Sequence, residues 1–134
     1  MIVDANGAIL GRLATRVAKE LLKGESITVI NTEKIIITGN FSAILERYKE
    51  KRDRGDTNKG PFYPRQPDKL FKRVVRGMLP YKKDRGMKAF RRLDVFMGNP
   101  NNLKGEKISK TEEDITCKYI TINDLCKKLG AKLG

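Results

Sequence analysis

The order of its patterns predicts an α/β domain with a mainly parallel sheet of about four strands, helices on both faces and basic loop extensions. Three observations carry this. Short β-branched runs alternate with longer segments of helical period. Gly, Asn and Pro mark the changeovers. The 134 residues suit one domain with a real core, so 1–134 reads as a single domain.

The elements follow in order. Residues 1–4 read as a strand, closed by a turn at Asn6-Gly7. From Ala8 to Lys23, the residues Leu10, Leu13, Ala14, Val17, Ala18, Leu21 and Leu22 fill one side of a helix. Arg12, Arg16, Lys19 and Lys23 form a stripe on the other, and Gly24 stands where a C-terminal cap belongs. Residues 26–31 are β-branched and predict a strand, and Ile35, Ile36 and Ile37 add a short apolar run before Thr38-Gly39-Asn40. Ser42 is placed to cap a second helix reaching about Arg52, with Phe41, Ile44, Leu45 and Tyr48 on its apolar side. Residues 53–67, with Gly55, Gly60, Pro61, Pro64 and Pro67 among cations, read as a long loop that needs a partner to order it. Pro67 suits a helix start, and that helix ends near Leu79. Its Leu70, Phe71, Val74, Val75 and Met78 share one side, and Lys69, Lys72, Arg73 and Arg76 the opposite one. Residues 81–92 read as basic and irregular around Gly86. Leu93 to Met97 predicts a strand, residues 101–114 a polar loop, and Tyr119 to Ile122 a last strand. Asn123 is then placed to cap a short helix carrying Leu125, Cys126 and Leu129.

The charge is uneven. The chain carries 29 Lys or Arg against 16 Asp or Glu, a net +13. Residues 47–92 hold 17 of the cations and five acids, a net +12, and the remainder nearly balances. A solubility device spreads its charge, whereas a surface for a polyanion concentrates it. Arg and Lys neutralise phosphates and release counterions. Tyr48, Phe62, Tyr63, Tyr81 and Phe90 are interleaved with the cations, either to stack on bases or to pack on the core. Gly and Pro between the charges suit an irregular folded RNA better than a duplex groove.

Several classes drop out. There is no His, which removes imidazole acid/base and His-metal chemistry. Cys117 and Cys126 do not have zinc-site spacing and read as reduced thiols of an intracellular protein, with one disulfide as the alternative. No apolar run exceeds three residues, so no membrane span is expected, and Asp4 and Asn6 interrupt any signal-peptide pattern. Glu112-Glu113-Asp114 reads as a solvated acidic run. Gly7 and Gly11 between strand and helix invite a phosphate-loop reading, but Arg12-Leu13 follows where Lys and Ser or Thr are needed. The favoured account is that Gly7 makes the turn and Gly11 permits close helix–sheet packing. A weaker one has this helix start and Arg12 hold a single backbone phosphate.

Some of these residues also resemble a known family. Gly11-Arg12-Leu13-Ala14-Thr15, the stretch from Val29-Ile30-Asn31 to Ile37-Thr38-Gly39, and Val75-Arg76-Gly77-Met78-Leu79-Pro80 carry the likeness. It continues through Arg85-Gly86 to Leu93-Asp94-Val95-Phe96-Met97-Gly98-Asn99-Pro100. Together they resemble the large-ribosomal-subunit protein family numbered thirteen, over nearly the whole chain. The resemblance implies a three-layer α/β/α domain. It also implies a structural, non-enzymatic role in the cytoplasm on the large ribosomal subunit, binding large-subunit ribosomal RNA and supporting assembly. Its partners would be that RNA and other large-subunit proteins, with no cofactor, small-molecule substrate or membrane. Asn99 stands where bacterial members usually carry His, and the sequence stops at Gly134 without the eukaryotic C-terminal extension; both point to an archaeal-type member.

The expected RNA contacts are Arg12 and Arg16 from the first helix, with Arg52, Arg54, Lys59 and Arg65 around the first loop. Lys69, Lys72, Arg73 and Arg76 follow from the third helix, and Lys82, Lys83, Arg85, Arg91 and Arg92 from the second loop. Their role would be positioning by phosphate contact. The alternatives are an enzyme with a nucleotide cradle at Gly7–Gly11, or a translation regulator that binds messenger RNA away from the ribosome.

Overall fold

The computed structural model describes residues 1–53, 64–99, 102–107 and 118–130. Strand β1 is Ile2–Asp4, and the chain turns at Gly7, whose φ of 74° is easy only for glycine. Helix α1 is Leu10–Leu22 and buries the apolar side that the sequence period marks. It starts two residues later than the pattern predicts. Ile9 bridges Ile36 and the Ala8 carbonyl accepts the Ile36 N–H, so Ala8 and Ile9 stay extended. Gly24, with φ 99°, ends the helix. Strand β2 is Ile27–Ile30 and β3 is Ile36–Thr38, joined by a 3-10 turn at Thr32–Lys34. Asn31 enters that turn left-handed, and its Nδ2 donates to Asp4 Oδ1 at 3.0 Å.

Helix α2 is Phe41–Asp53, with Ile44 and Tyr48 buried. Its start differs from the expectation: Ser42 lies inside the helix, and Asn40 Oδ1 accepts the Ser42 N–H. Helix α3 is Pro67–Met78, with Pro67 in its first turn and Leu79 closing it. The predicted irregular stretch at 81–92 is corrected by a helix, α4, Asp84–Arg91. Gly86, which reads as a breaker, is there because a Cβ would collide with the Pro80 carbonyl. Gly86 and Ala89 bury the near side, while Asp84 and Lys88 pair at 3.0 Å on the outside. Strand β4 is Leu93–Val95, β5 is Tyr119–Thr121 and α5 is Ile122–Lys128. Thr121 caps α5 by accepting the Asp124 N–H, in place of the predicted Asn123.

The sheet is parallel with order β1-β2-β4, and Glu106 adds one parallel bridge to Val3 at its edge. β3 and β5 form a separate antiparallel pair, so the expected single sheet of about four strands is divided. The order steps the same way twice, so right-handed crossovers bring α1, α3 and α4 to one face. There α1 contacts both α3 and α4. Val3, Val29 and Val95 are in register and buried on that face. On the other, Ile2 and Thr28 are half-buried and Asp94 is exposed. One apolar cluster runs from Val3 to Leu129.

Residues 54–63 of the expected first loop, Pro100, Cys117 and the acidic run at 112–114 lie outside the described residues. Cys126 is a free, buried thiol.

Candidate nucleic-acid interface

Amphipathic period puts cations on the outer sides of the helices whose inner sides make the core. On α1, Arg12 and Arg16 are exposed. On α3, Lys69 is exposed and Lys72, Arg73 and Arg76 are half-buried. Lys82 and Lys83 precede α4, Arg85 and Arg91 lie on it, and all four are exposed. Packing of α3 and α4 against α1 gathers these cations on neighbouring helices. The junction of α1 and α3 is close, with Thr15 Oγ1 3.7 Å from Met78 Sδ.

Two of the cations are ordered by stacking. The Arg76 guanidinium lies 4.3 Å from the centroid of the Tyr81 ring. A hydrogen bond from Arg76, and then its charge, hold the Tyr81 phenol below its ordinary pKa. Lys51 Nζ sits 4.9 Å from the Tyr48 centroid.

Other expected contacts are drawn into the fold. Arg92 Nη2 donates to the Leu21 carbonyl at 2.7 Å, tying the end of α4 to the end of α1, and its buried Nε has no hydrogen-bond partner among the described residues. Arg52 donates from Nη1 to the Leu129 carbonyl at 3.1 Å and from Nε to Asp53 at 2.9 Å. That bond from Arg52 leads the causes holding the Asp53 carboxyl below its usual range. Arg65 is exposed, with its guanidinium beside Gly130. Arg54 and Lys59 lie outside the described residues.

The amides leading into the Gly7–Gly11 turn are bonded within the fold. The amides of Ala5, Asn6, Gly7 and Ala8 are taken by Ile30 O, Asp4 Oδ1, Lys34 O and Ala5 O. Gly11 also departs from its expected packing role. It is exposed, and a Cβ there would meet no atom within 4 Å. An open cleft of about 360 Å³ lies over it, lined by α1, β3 and α2. Arg47 lines this cleft and is absent from the expected contacts. Its signal is positional: it directly precedes the buried Tyr48, so it flanks the apolar side of α2 instead of opposing it.

Among the described residues, no three His, Cys, Asp or Glu side chains gather to hold a metal ion. No described helix is long and apolar enough to cross a membrane. The arrangement offers cations and donors to a polyanion.

Comparison with known proteins agrees with that chemistry. The family described as "Ribosomal protein L13" matches residues 1–102. The chain is 50% identical to the large ribosomal subunit protein uL13 of Archaeoglobus fulgidus, over 96% of this chain and 86% of the relative. It is 48% identical to uL13 of Methanocaldococcus jannaschii, over 98% of each. With uL13 of Haloarcula marismortui the identity is 44%, over 98% of this chain and 91% of the relative.

Proposed function

The chain belongs to the ribosomal protein L13 family, and from that premise we propose that it is a structural constituent of the large ribosomal subunit that binds the subunit's RNA. Its place is on that subunit in the cytoplasm, among other large-subunit proteins, where it supports assembly. One observation carries the RNA interface: the +12 segment at 47–92 supplies exposed cations to helices that pack around α1. The contacts are Arg12, Arg16, Arg65, Lys69, Lys72, Arg73, Arg76, Lys82, Lys83, Arg85 and Arg91, with Arg54 and Lys59 from the first loop. Arg52 and Arg92 serve the interface by fixing the helix ends from which neighbouring cations project. These side chains position the protein through phosphates and read little sequence. The protein acts as one domain and not as an enzyme; the Gly7 and Ala8 amides at the first turn are already bonded to backbone carbonyls, which disfavours a phosphate loop of the nucleotide-hydrolysing kind.

The test is charge reversal of the faces. Arg73→Glu/Arg76→Glu and Lys82→Glu/Lys83→Glu proteins are titrated with deproteinised large-subunit RNA across a salt series. Binding weakens, and the salt slope falls by roughly one for each phosphate no longer neutralised. Unchanged affinity and slope in both proteins remove these faces from the interface. Co-sedimentation with the large subunit in a sucrose gradient tests the wider assignment.

A further inference from the structure

Gly11 is a helix residue with no reason inside the protein to be glycine. It lies within α1, it is exposed, and among the described residues no atom stands within 4 Å of where its Cβ would be. Glycine is among the poorest helix formers and leaves room for something outside to come close to the backbone; Gly77 in α3 is equally open, and what singles out Gly11 is the cleft beside it. What surrounds it has a definite chemistry. The cleft has Ile37 and Tyr48 in its walls, and Arg12, Arg47 and Thr38 bring donors to it. No acidic side chain lines it among the described residues. Arg12 and Arg47 are both exposed, and neither makes an ion pair among the described residues. Two arginines lining one opening favour a phosphate, and the apolar part of its walls favours a flat ring over a bare anion. Its volume of about 360 Å³ is that of a small-ligand site and far too little for a helix of nucleic acid. Single-stranded RNA is read through bases splayed from the stack.

We propose that this cleft receives one unpaired nucleotide of the ribosomal RNA, its sugar-phosphate passing over Gly11 and its phosphate held between Arg12 and Arg47. The assignment rests on the RNA-binding reading above. It adds an insertion site to a surface otherwise described by phosphate contacts, and it gives Arg47 a role that charge counting does not assign.

A Cβ at position 11 meets no described atom within 4 Å, so Gly11→Leu tests the cleft, and thermal melting reports whether the fold accepts the longer side chain. Wild type, Gly11→Leu and Arg47→Gln proteins are compared for binding to deproteinised large-subunit RNA, with thermal melting as a check on folding. The 2′-hydroxyl reactivity of each complex is mapped nucleotide by nucleotide. Gly11→Leu melts no lower than wild type, binds about tenfold more weakly, and frees one unpaired nucleotide that wild type protects while the rest of the footprint stays. Arg47→Gln weakens binding several-fold and lowers the salt slope by roughly one. If Gly11→Leu keeps full affinity and the full footprint while Lys82→Glu/Lys83→Glu loses affinity, the cleft assignment fails and the RNA reading stands. If wild type itself does not bind the RNA, both fall. A separate titration with free nucleoside monophosphates shows no saturable micromolar binding; saturable binding at Gly11 makes the cleft a site for a free nucleotide and overturns the assignment.

Discussion

Individual residues divide into those that hold the chain and those that face outward, and several carry a sharp expectation. Gly86 has no room for a methyl group against the Pro80 carbonyl. Gly86→Ala therefore lowers stability by about 3 kcal/mol in urea unfolding, by overpacking a backbone contact. Gly11→Ala has open space and acts in the opposite sense, raising stability by up to about 1 kcal/mol through helix propensity. Neighbouring arginines also differ. Arg92 donates to Leu21 from a part-buried position, so Arg92→Ala costs roughly 1–2 kcal/mol. Arg91 is exposed, and Arg91→Ala stays within about 0.5 kcal/mol of wild type in the same assay. Cys126 gives a pH signature. Burial first, and then the charge of Asp68, push its thiol up from 9.0 to about 12. A raised folded pKa means the fold favours the neutral thiol. Its stabilisation is complete below 9.0 and is lost as pH rises toward 12. In a Cys117→Ser background, stability falls across that alkaline range, and replacing Cys126 with Ala removes part of the fall. A pH slope unaltered by that replacement refutes the linkage.

Elements are governed by period and by their ends, and the two are unequally visible in sequence. The buried sides of α1 and α3 follow from residue spacing, because a 3.6-residue repeat needs no knowledge of what it packs against. Caps are less visible, since neighbouring residues compete for the position. Ser42 and Asn123 have suitable side chains, yet Asn40 and Thr121 stand directly before the two helices, and those two accept the orphan N–H groups. Thr121→Ala should cost about 1 kcal/mol, read by urea unfolding, whereas Asn123→Ala should be nearly neutral. Helix α4 is the least legible element. Its eight residues hold a central glycine and many cations, which read locally as a loop. Contact with Pro80 and with α1 turns that glycine from a breaker into a fitted surface.

For the whole molecule, parallel pairing and charge together shape the cationic side. The same sideways step from β1 to β2 to β4 brings α1, α3 and α4 together, so cations far apart in the chain become neighbours. The fold class is readable from alternating patterns. The division into a parallel sheet and a β3-β5 pair is not, because Ile36 and Thr121 are far apart in sequence and no local signal selects the partner. The same holds for the site. Lopsided charge marks most of the exposed cations, but charge counting treats Arg91 and Arg92 alike and, although it includes Arg47, does not place it at a site. The α/β class, the apolar faces of the main helices and the concentration of positive charge in one segment are legible in the residues alone, because period, turn chemistry and charge are local properties. Folding settles which arginines are spent on carbonyls at helix ends and which glycine is tight and which open. It alone places Arg12 and Arg47 on one cleft, because each of these depends on atoms that folding brings from distant parts of the chain.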